Sequence, residues 1–358
     1  MKNLLIKSSD VIHNLNAVRD ICDEAQIIAV LKGNGYGLGI VELAYLLEEN
    51  GVSLFAVSEL AEARTLRKAG FEGDILLLSP TSNMLEAGEI ARLNLIATVG
   101  SVRSAKVLND TNMSVRVHIK IDTGFGRFGF MPSEIKSVAD TLKTFKNIHY
   151  EGVFSHFSNS FDKKDRSAKM QFDLFMQGVS NLNERGINPK IRHICNSCGS
   201  LRFDFARLDA VRIGSALLGR LPIPNVYGLK RVAHLQCEIT EVKTIPAKHI
   251  VGYADTFKTK NETVIAVVPV GYKDGFGVEK SKDTFRFIDI LRYVYEDLKN
   301  LGRRLYVTVN GKQARIIGRI SMYNIIIDIT GIDAKIGDIV TLECNPILIE
   351  STISRKYI

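Results

Sequence analysis

The first two thirds of the chain alternate short apolar runs with longer amphipathic segments. Eight runs lie between residues 10 and 215: QIIAVLK, VSLFAVS, GDILLLS, LNLIATV, SVRVHIKID, HYEGVFSHF, KIRHICN and LDAVRIG. Segments between them, such as IVELAYLLEENG and LAEARTLRKAG, space apolar residues as a helix does and stop at a glycine. Eight strands alternating with helices favour a (β/α)8 TIM barrel, an α/β fold. An open, doubly wound sheet is the alternative, because periodicity does not report whether the sheet closes.

Near residue 235 the pattern changes to that of β hairpins. ETVIAVVPVGY, RLYVTVNGKQARIIGRI and YNIIIDI read as strands, with turn signals such as Asn310–Gly311 between them. We therefore predict a barrel over 1–230, with its first few residues free to pair with the second domain, and a mainly β C-terminal domain over 231–358. The segment DTFRFIDILRYVYEDLKNLG, at 283–302, has the apolar spacing of one helix packed on the β domain.

Composition narrows the class of protein without identifying it. The 358 residues are 46% hydrophobic and 24% charged, which is ordinary for a soluble globular protein, and they carry a net charge of +8. The sequence has no basic stripe with interleaved aromatics, which would predict nucleic-acid binding. It also has no apolar run long enough to predict a membrane span. The five cysteines are an odd number, and no second C-x-x-C accompanies Cys195 and Cys198, so we predict a reducing, cytoplasmic setting and no metal site.

The stretch AVLKGNGYGLG places one lysine, Lys32, between a predicted strand and four alternating glycines. Glycines leave backbone N–H groups open to an anion, which suggests a phosphate ligand. The spacing fits neither the P-loop nor the dinucleotide fingerprint, so a nucleotide is not indicated.

Polar residues follow most of the predicted strands, and a barrel brings strand ends to one rim. They are Lys32, Tyr36, Lys120, Asp122, Arg127, Ser155, His156, Asn196, Ser197, Arg212, Gly214 and Ser215. A set this rich in cations and poor in carboxylates suits neither a metal nor a glycosidase. It suits a phosphate-bearing cofactor with a lysine held for Schiff-base chemistry, which predicts that Lys32 forms an imine with pyridoxal 5′-phosphate.

The same residues resemble motifs of the alanine racemase family, whose members combine such a barrel with a β domain. AVLKGNGYGLG is similar to the family's V-K-A-N-A-Y-G-H-G, which implies that Lys32 is the Schiff-base lysine and Tyr36 a phosphate ligand. IKIDTGFGRFG is similar to D-T-G-M-G-R-L-G, so Arg127 is implied to contact the cofactor and the substrate carboxylate. Lys120 corresponds to a lysine that some members carry as a carbamate.

Three further barrel segments carry the resemblance. EGVFSHFS is similar to E-G-[LI]-x-[ST]-H-F and places His156 beneath the cofactor ring. HICNSCGS is similar to H-x-x-N-S-[AG] and assigns Ser197 to the phosphate. AVRIGSALLG is similar to V-R-[PFI]-G-x-x-x-[YL]-G, which implies that Arg212 contacts the pyridine nitrogen, with Gly214 and Ser215 at the phosphate.

The second domain supplies two more motifs. PVGYKDGF is similar to P-[IV]-G-Y-[AG]-D-G-[YF], which makes Tyr272 the second catalytic base, delivered in the family by a partner subunit. GRISM is similar to G-R-[VI]-[SC]-M, where the backbone at Met322 would receive the substrate carboxylate. The resemblance therefore implies a homodimeric, two-base racemase of alanine or another small amino acid.

Three departures from the family pattern concern the substrate. Tyr323 stands where the family has aspartate, Arg355 stands where a phosphate-contacting tyrosine is expected, and the segment around 283–302 is longer than usual. Because these changes spare the cofactor residues of the barrel, we also consider a small or polar amino acid such as serine as the substrate. Two alternatives are a cofactor carrier without turnover and a related amino-acid decarboxylase.

Overall fold

The computed structural model describes all 358 residues, which divide into two compact units. Lys7–Val232 form the first unit. Met1–Ile6, which contain strand β1 (Lys2–Ile6), join Ala233–Ile358 in the second. No helix combines the length and the apolar content that crossing a bilayer requires.

The first unit is built around a closed ring of eight parallel strands. They are β2 (Gln26–Val30), β3 (Leu54–Val57), β4 (Asp74–Leu77), β5 (Ala97–Val99), β6 (Val115–Lys120), β7 (Ile148–Phe154), β8 (Ile191–His193) and β9 (Ala210–Ile213). Ladders give the orders β4-β3-β2-β9 and β5-β6-β7-β8. The Leu77 N–H donates to the Ile96 carbonyl at 2.8 Å and the Arg212 N–H to the Cys195 carbonyl at 3.1 Å, which joins the two sheets at both edges. The barrel prediction is therefore confirmed, and the open sheet is excluded.

Helical segments alternate with the strands, and the one that follows β2 contains left-handed residues. The helical segments are α1 (Ser8–Cys22), α2 (Lys32–Tyr36), α3 (Ile40–Glu49), α4 (Leu60–Lys68), α5 (Met84–Arg92), α6 (Val102–Asn109), α7 (Ile135–Leu142), α8 (Arg166–Glu184) and α9 (Ser197–Arg202). In α3 the buried residues Ile40, Leu43, Ala44 and Leu47 recur at helical spacing and form one apolar side.

Alternate residues of the strands form an apolar core within the barrel. Its buried members are Ile28, Val30, Leu54, Ala56, Leu76, Ile96 and Ala210. Burial of each large aliphatic side chain stabilises the fold by about 1.5–3 kcal/mol. The strand ends are thereby held on a rigid frame, which fixes the positions of the residues that follow them.

The second unit is mainly β. Its other strands are β10 (Ala233–Glu238), β11 (Glu241–Ile245), β12 (Ile250–Val251), β13 (Phe257–Lys258), β14 (Thr263–Val268), β15 (Tyr306–Val309), β16 (Lys312–Ile317), β17 (Ile325–Asp328), β18 (Ile339–Glu343) and β19 (Ser354–Tyr357). Nine strands form one sheet in the order β11-β14-β17-β16-β15-β18-β10-β1-β19. At the predicted hairpin, Asn310 and Gly311 both have positive φ, as a tight two-residue turn requires.

One helix, α10 (Phe287–Lys299), interrupts this unit between β14 and β15. A helix was predicted here, but the expectation that its apolar side packs on the β domain is wrong. Apart from Asp289 and the half-buried Tyr293, the residues of α10 are exposed. The sequence pattern shows that the helix has an apolar side, but it does not show what covers it.

Candidate active site

A cavity of about 440 Å³ lies at the C-terminal ends of the barrel strands. All the site residues predicted within the barrel line it, namely Lys32, Tyr36, Arg127, His156, Ser197, Arg212, Gly214 and Ser215. Since TIM barrels carry their chemistry on this face, the cavity is the candidate active site. Neither the cavity nor any other part of the chain has a group of three or more His, Cys, Asp or Glu side chains that could hold a metal ion.

The backbone after Lys32 turns in the left-handed sense. The φ values are +64° at Gly33, +54° at Asn34, +64° at Gly35 and +54° at Tyr36. A left-handed residue with a side chain costs about 1–2 kcal/mol, whereas glycine adopts this conformation freely and asparagine tolerates it. The alternating glycines therefore allow the chain to reverse sharply directly after β2, which leaves Lys32 at the cavity.

This turn uses its N–H groups internally. The Gly33 N–H donates to the Glu62 carboxylate at 2.6 Å, and the Gly35 N–H donates to the Leu31 carbonyl at 2.7 Å. The other oxygen of Glu62 accepts from the Ser58 N–H at 3.0 Å. The interpretation of these glycines as phosphate donors is therefore wrong for Gly33 and Gly35, whose role is the shape of the turn.

Lys32 lies in an environment that weakens its hold on a proton. Burial lowers the pKa of the amine, and the positive charges of Arg127 and Arg212 lower it further, against an opposing effect of Glu62. A lowered pKa makes the neutral, nucleophilic amine more available near neutral pH. Burial, together with Glu62, raises the pKa of Tyr36 to about 12, so that the hydroxyl stays protonated and can donate a hydrogen bond.

Tyr36 meets the segment after β9 at Gly214. A Cβ atom at Gly214 would lie 2.4 Å from the Tyr36 hydroxyl oxygen, so only glycine permits this approach. The Ser197 hydroxyl accepts from the N–H groups of Gly214, at 3.0 Å, and Ala216, at 3.3 Å. The Ser215 N–H has no acceptor in the structure. Four predicted phosphate residues thus lie together at one end of the cavity.

The loop DTGFGR is organised by Asp122. Its carboxylate accepts hydrogen bonds of 2.9–3.2 Å from the N–H groups of Gly124, Phe125, Gly126 and Arg127. Burial raises the pKa of Asp122, but these backbone donors outweigh it and hold the pKa below its usual value. Asp122, which the strand-end pattern placed among the candidate chemical groups, therefore serves to shape the loop.

Aromatic rings hold the Arg127 guanidinium. Its central carbon lies 4.4 Å from the Phe125 ring centre and 5.7 Å from that of Phe128. The Phe125 ring also meets the His156 ring edge to face at 5.2 Å. No acceptor in the chain binds the guanidinium, so its N–H donors remain available to a carboxylate or phenolate ligand.

Arg212 is tied into the barrel by an extensive set of hydrogen bonds. It donates to the carbonyls of Ser155 at 2.7 Å, Ile194 at 3.1 Å and His193 at 3.3 Å. It also contacts the Nδ1 atoms of His193 at 2.6 Å and His156 at 3.1 Å. Burial lowers the pKa of Arg212 to about 10, which still leaves it charged at neutral pH.

These contacts fix the histidine tautomers. Arginine only donates, so the Nδ1 atoms of His193 and His156 must accept, and each carries its proton on Nε2. The His193 Nε2–H then donates to His118 Nδ1 at 2.9 Å, which leaves the buried His118 Nε2–H without an acceptor. Burial, followed by the charge of Arg212, lowers the pKa of His156 and of His193 well below the usual value, so both are neutral.

Lys120 is buried beside the cavity. Its ammonium group donates to the Ile121 carbonyl at 2.8 Å and lies 5.3 Å from the Phe154 ring centre. Burial, followed by the charge of Arg212, lowers the pKa of Lys120 to about 7. The cavity is thus lined by Lys32, Lys120, Arg127 and Arg212, which together favour an anionic ligand.

In the second unit, the two predicted site segments are neighbours. The Tyr272 N–H donates to the Ser321 carbonyl, and the Lys273 N–H donates to the Met322 carbonyl, both at 3.1 Å. The side chains of Tyr272, Met322 and Tyr323 are all about half exposed. The Tyr272 phenol, the backbone at Met322 and Tyr323, which differs from the family pattern, therefore lie close together in this unit.

Comparison with known proteins identifies the family. Residues 6–222 match the alanine racemase N-terminal domain, and residues 232–354 match the alanine racemase C-terminal domain. The chain belongs to the alanine racemase family. The resemblance predicted from the motifs is therefore confirmed.

The similarity to known alanine racemases extends over nearly the whole chain. The alanine racemase of Clostridium tetani is 34% identical over 343 residues, covering 93% of this chain and 83% of that protein. The alanine racemase of Methanococcus maripaludis is 31% identical over 350 residues, covering 94% and 87%. The solved alanine racemase of Clostridium difficile 630 has a TM-score of 0.86 at 26% identity, covering 100% of this chain and 95% of that one.

Arg355, one departure from the family pattern, has a structural role here. Its guanidinium donates to the carbonyls of Ile349 at 3.0 Å, Glu350 at 2.8 Å, Ser351 at 2.9 Å and Ile353 at 2.5 Å. These bonds fasten the turn that precedes β19. Arg355 is therefore engaged by backbone oxygens of its own unit.

Four residues near the site were not predicted from the sequence. His118 and His193 support Arg212, and Phe125 and Phe128 flank Arg127. The signals are present but weak: His118 precedes Lys120 by two residues on β6, and the phenylalanines flank the arginine in GFGRFG. Residues two apart on a strand share a face, which could have marked His118.

Proposed function

We propose that this protein is a pyridoxal 5′-phosphate-dependent amino-acid racemase that interconverts L- and D-alanine. The observation that carries the proposal is the lysine amine of lowered pKa, Lys32, among Arg127, His156, Arg212 and Ser197 in one cavity. The relatives named alanine racemase support alanine as the substrate. Neither the carrier nor the decarboxylase alternative has such support.

The residues present fit the cofactor. The cavity, of about 440 Å³, is in the usual range for small-molecule sites. At one end, the Ser197 hydroxyl and the N–H of Ser215 offer hydrogen bonds to a phosphate, and Gly214 leaves room beside Tyr36. The Arg212 Nε–H has no acceptor in the protein, which leaves one donor for a ring nitrogen.

When bound, the cofactor supplies an electron sink that stabilises negative charge at the substrate Cα. Lys32 would hold the cofactor covalently, and its amine would accept or return the Cα proton on one side of the substrate. Arg127, whose donors are unused, would bind and orient the substrate carboxylate together with the backbone at Met322. Tyr272 would hold a proton at its phenolic oxygen for the opposite side. Two bases on opposite faces are what inversion at Cα requires.

Arg212 would limit side reactions. At neutral pH it donates a hydrogen bond but does not give up its proton, since burial lowers its pKa only to about 10. A ring nitrogen that only accepts a hydrogen bond withdraws less electron density from the substrate Cα than a protonated ring nitrogen would. A long-lived carbanion, which side reactions such as transamination need, would then be disfavoured.

We further propose a homodimer in which Tyr272 of a second copy serves each cavity. Because Tyr323 places a phenol next to Met322, a small polar substrate such as serine is the second candidate. We also propose that Lys120 carries a carbamate, since an amine of pKa about 7 is partly neutral at physiological pH.

The test is a chiral assay of the purified protein with added cofactor over a panel of L-amino acids. We expect D-alanine to form fastest, with exchange of the Cα hydrogen in deuterated water. Preferential turnover of serine would favour the second candidate. Absence of both D-product and hydrogen exchange would refute the racemase, and release of carbon dioxide would indicate a decarboxylase.

A further inference from the structure

The Tyr272 side chain depends on its backbone for its position. Its hydroxyl forms no hydrogen bond within the chain, and the residue is 49% exposed. Tyr272–Asp274 form a short 3-10 helical turn, here called the Tyr272 turn, that ends at Gly275, where φ is +84°. The start of this turn is bonded to the backbone at 321–322, as described above. Because no hydrogen bond holds the phenol, the contacts that fix the turn determine where its oxygen lies.

A second segment, which begins at Leu348, lies against the end of the Tyr272 turn. The Glu350 N–H donates to the Asp274 carbonyl at 3.3 Å, and the Lys273 ammonium donates to the Glu350 carboxylate at 3.1 Å. A Cβ atom at Gly275 would lie 1.9 Å from the Leu348 carbonyl oxygen, so the two backbones touch and only glycine fits. A shift of this segment is therefore passed directly to the turn.

Arg355 fixes the shape of this second segment. Its guanidinium donates to four backbone carbonyls between residues 349 and 353, at 2.5–3.0 Å. One of them belongs to Glu350, at 2.8 Å, whose N–H and carboxylate hold the Tyr272 turn. A planar guanidinium with five donors can bridge several carbonyls at once, which an apolar side chain cannot do. Arg355 is thus linked to the Tyr272 turn through a single residue, Glu350.

We propose that Arg355 is a positioning residue for Tyr272, which it holds in place through Glu350. The role rests on the proposed function, in which the Tyr272 phenol exchanges the Cα proton on one side of the substrate. Proton transfer needs about 2.6–3.2 Å between the heavy atoms, and a displacement of about 1 Å can lower the rate about a hundredfold. Loss of Arg355 should therefore disturb the Tyr272 side of the reaction and spare the Lys32 side.

Reaction in deuterated water separates the two sides. When Lys32 removes the Cα proton and a well-placed Tyr272 supplies a deuteron from the other side, the product is inverted. When Tyr272 is displaced, a deuteron returns from the Lys32 amine, after that amine has exchanged with solvent, to the side that lost the proton. The Cα hydrogen is then exchanged with retention of configuration.

The measurement is the ratio of exchange with retention to inversion, obtained by mass spectrometry after chiral chromatography. It starts from the alanine enantiomer whose exchange survives in Tyr272→Phe, because that is the enantiomer on which Lys32 acts. We expect Arg355→Ala to raise this ratio about tenfold over the wild type. If Arg355→Ala does not fold, Arg355→Lys, which keeps the charge but lacks the planar fork of donors, is measured instead, with an expected rise of about threefold.

Arg67→Ala is the matched control. Arg67 is also half-buried and also donates to four backbone carbonyls. These carbonyls directly precede β4 and β5, on the face of the barrel away from the cavity. We expect the control to lose stability as Arg355→Ala does and to keep the wild-type ratio.

The outcomes that overturn the positioning role differ from the one that overturns the racemase. A wild-type ratio in the folded Arg355 variant overturns the role, and so does an equal rise in Arg67→Ala. Arg355→Ala added to Tyr272→Phe should raise the ratio no further, and a further rise overturns the role because Arg355 would then act elsewhere. Absence of inversion in the wild type would instead refute the racemase itself, and the positioning role with it.

Discussion

Replacement of Phe125 by leucine should weaken substrate binding without removing any group that touches the reacting atoms. The Phe125 ring centre lies 4.4 Å from the Arg127 guanidinium carbon, and the ring is 38% exposed. A cation over an aromatic face gains about 0.5–1 kcal/mol at exposed sites and about 2 when desolvated, so we assign about 1 kcal/mol here. Leucine keeps the apolar contact but loses the ring. Since 1.4 kcal/mol is a factor of ten, KM should rise about fivefold.

The effect should fall on KM more than on kcat, because Arg127 in its proposed role would hold the carboxylate equally in the ground state and the transition state. Phe128→Leu should have the smaller effect, less than about twofold, since its ring lies 5.7 Å away, close to the limit for this interaction. Phe161→Leu is the matched control, because Phe161 lines the cavity, as Phe128 does, but contacts no cation. Steady-state kinetics with L-alanine measures all three. Equal KM values in Phe125→Leu and wild type would refute the reasoning.

Four further predictions follow from the site and its supports. Tyr272→Phe should keep the cofactor absorbance but lose racemisation, chiefly of one enantiomer, in a chiral assay; an active variant would contradict the role of the phenol. Gly214→Ala should lower cofactor affinity at least about tenfold in a fluorescence titration, because its Cβ would lie 2.4 Å from the Tyr36 oxygen; wild-type affinity would mean that the tyrosine can move aside. Lys120 has a folded pKa of about 7 against 10.5 for a free lysine, so between these values the unfolded chain binds one more proton. The wild type should therefore gain up to about 1.4 kcal/mol per pH unit over Lys120→Met as pH rises from about 7 to about 10 in urea unfolding, and a constant difference would argue against a buried neutral amine. Arg355→Ala should lower the free energy of unfolding by about 1–3 kcal/mol, since it leaves several carbonyls without their donor; an unchanged urea midpoint would show that water replaces it.

Local patterns predicted the barrel well because each signal lies within one element. Each of the eight apolar runs coincides with one strand, although β7 begins one residue before its run. Lys32 lies two residues after the end of β2, so its place at the rim needed only the barrel rule. The motifs then assigned roles to Arg127, His156 and Arg212. The structure brings all of these to one cavity.

Predictions failed where a residue's partner is distant in sequence or lies in the backbone. The glycines after Lys32 were interpreted as anion donors, but positive φ values and the partners Glu62 and Leu31 account for Gly33 and Gly35. The support of Arg212 by His193 joins strands that are adjacent only in the closed barrel. Periodicity identified α10 as a helix but carries no information on what its apolar side meets.

The position of β1 bears on the order in which the molecule folds. β1 lies between β10 and β19 in the second unit, although the whole barrel separates it from β10 along the chain. During synthesis, β1 therefore cannot pair until residues beyond 233 have emerged, whereas the barrel can assemble from contacts between residues that are closer in sequence. A folded barrel would then shorten the effective loop that β1 has to close, which reduces the entropy lost in bringing it to its sheet. Lys2 on this strand bonds Asp274 at 2.9 Å, and Asp274 accepts from the Gly271 N–H at 3.0 Å, next to Tyr272. Although Lys2 is among the first residues synthesised, its contact with the segment that carries Tyr272 is therefore among the last to form.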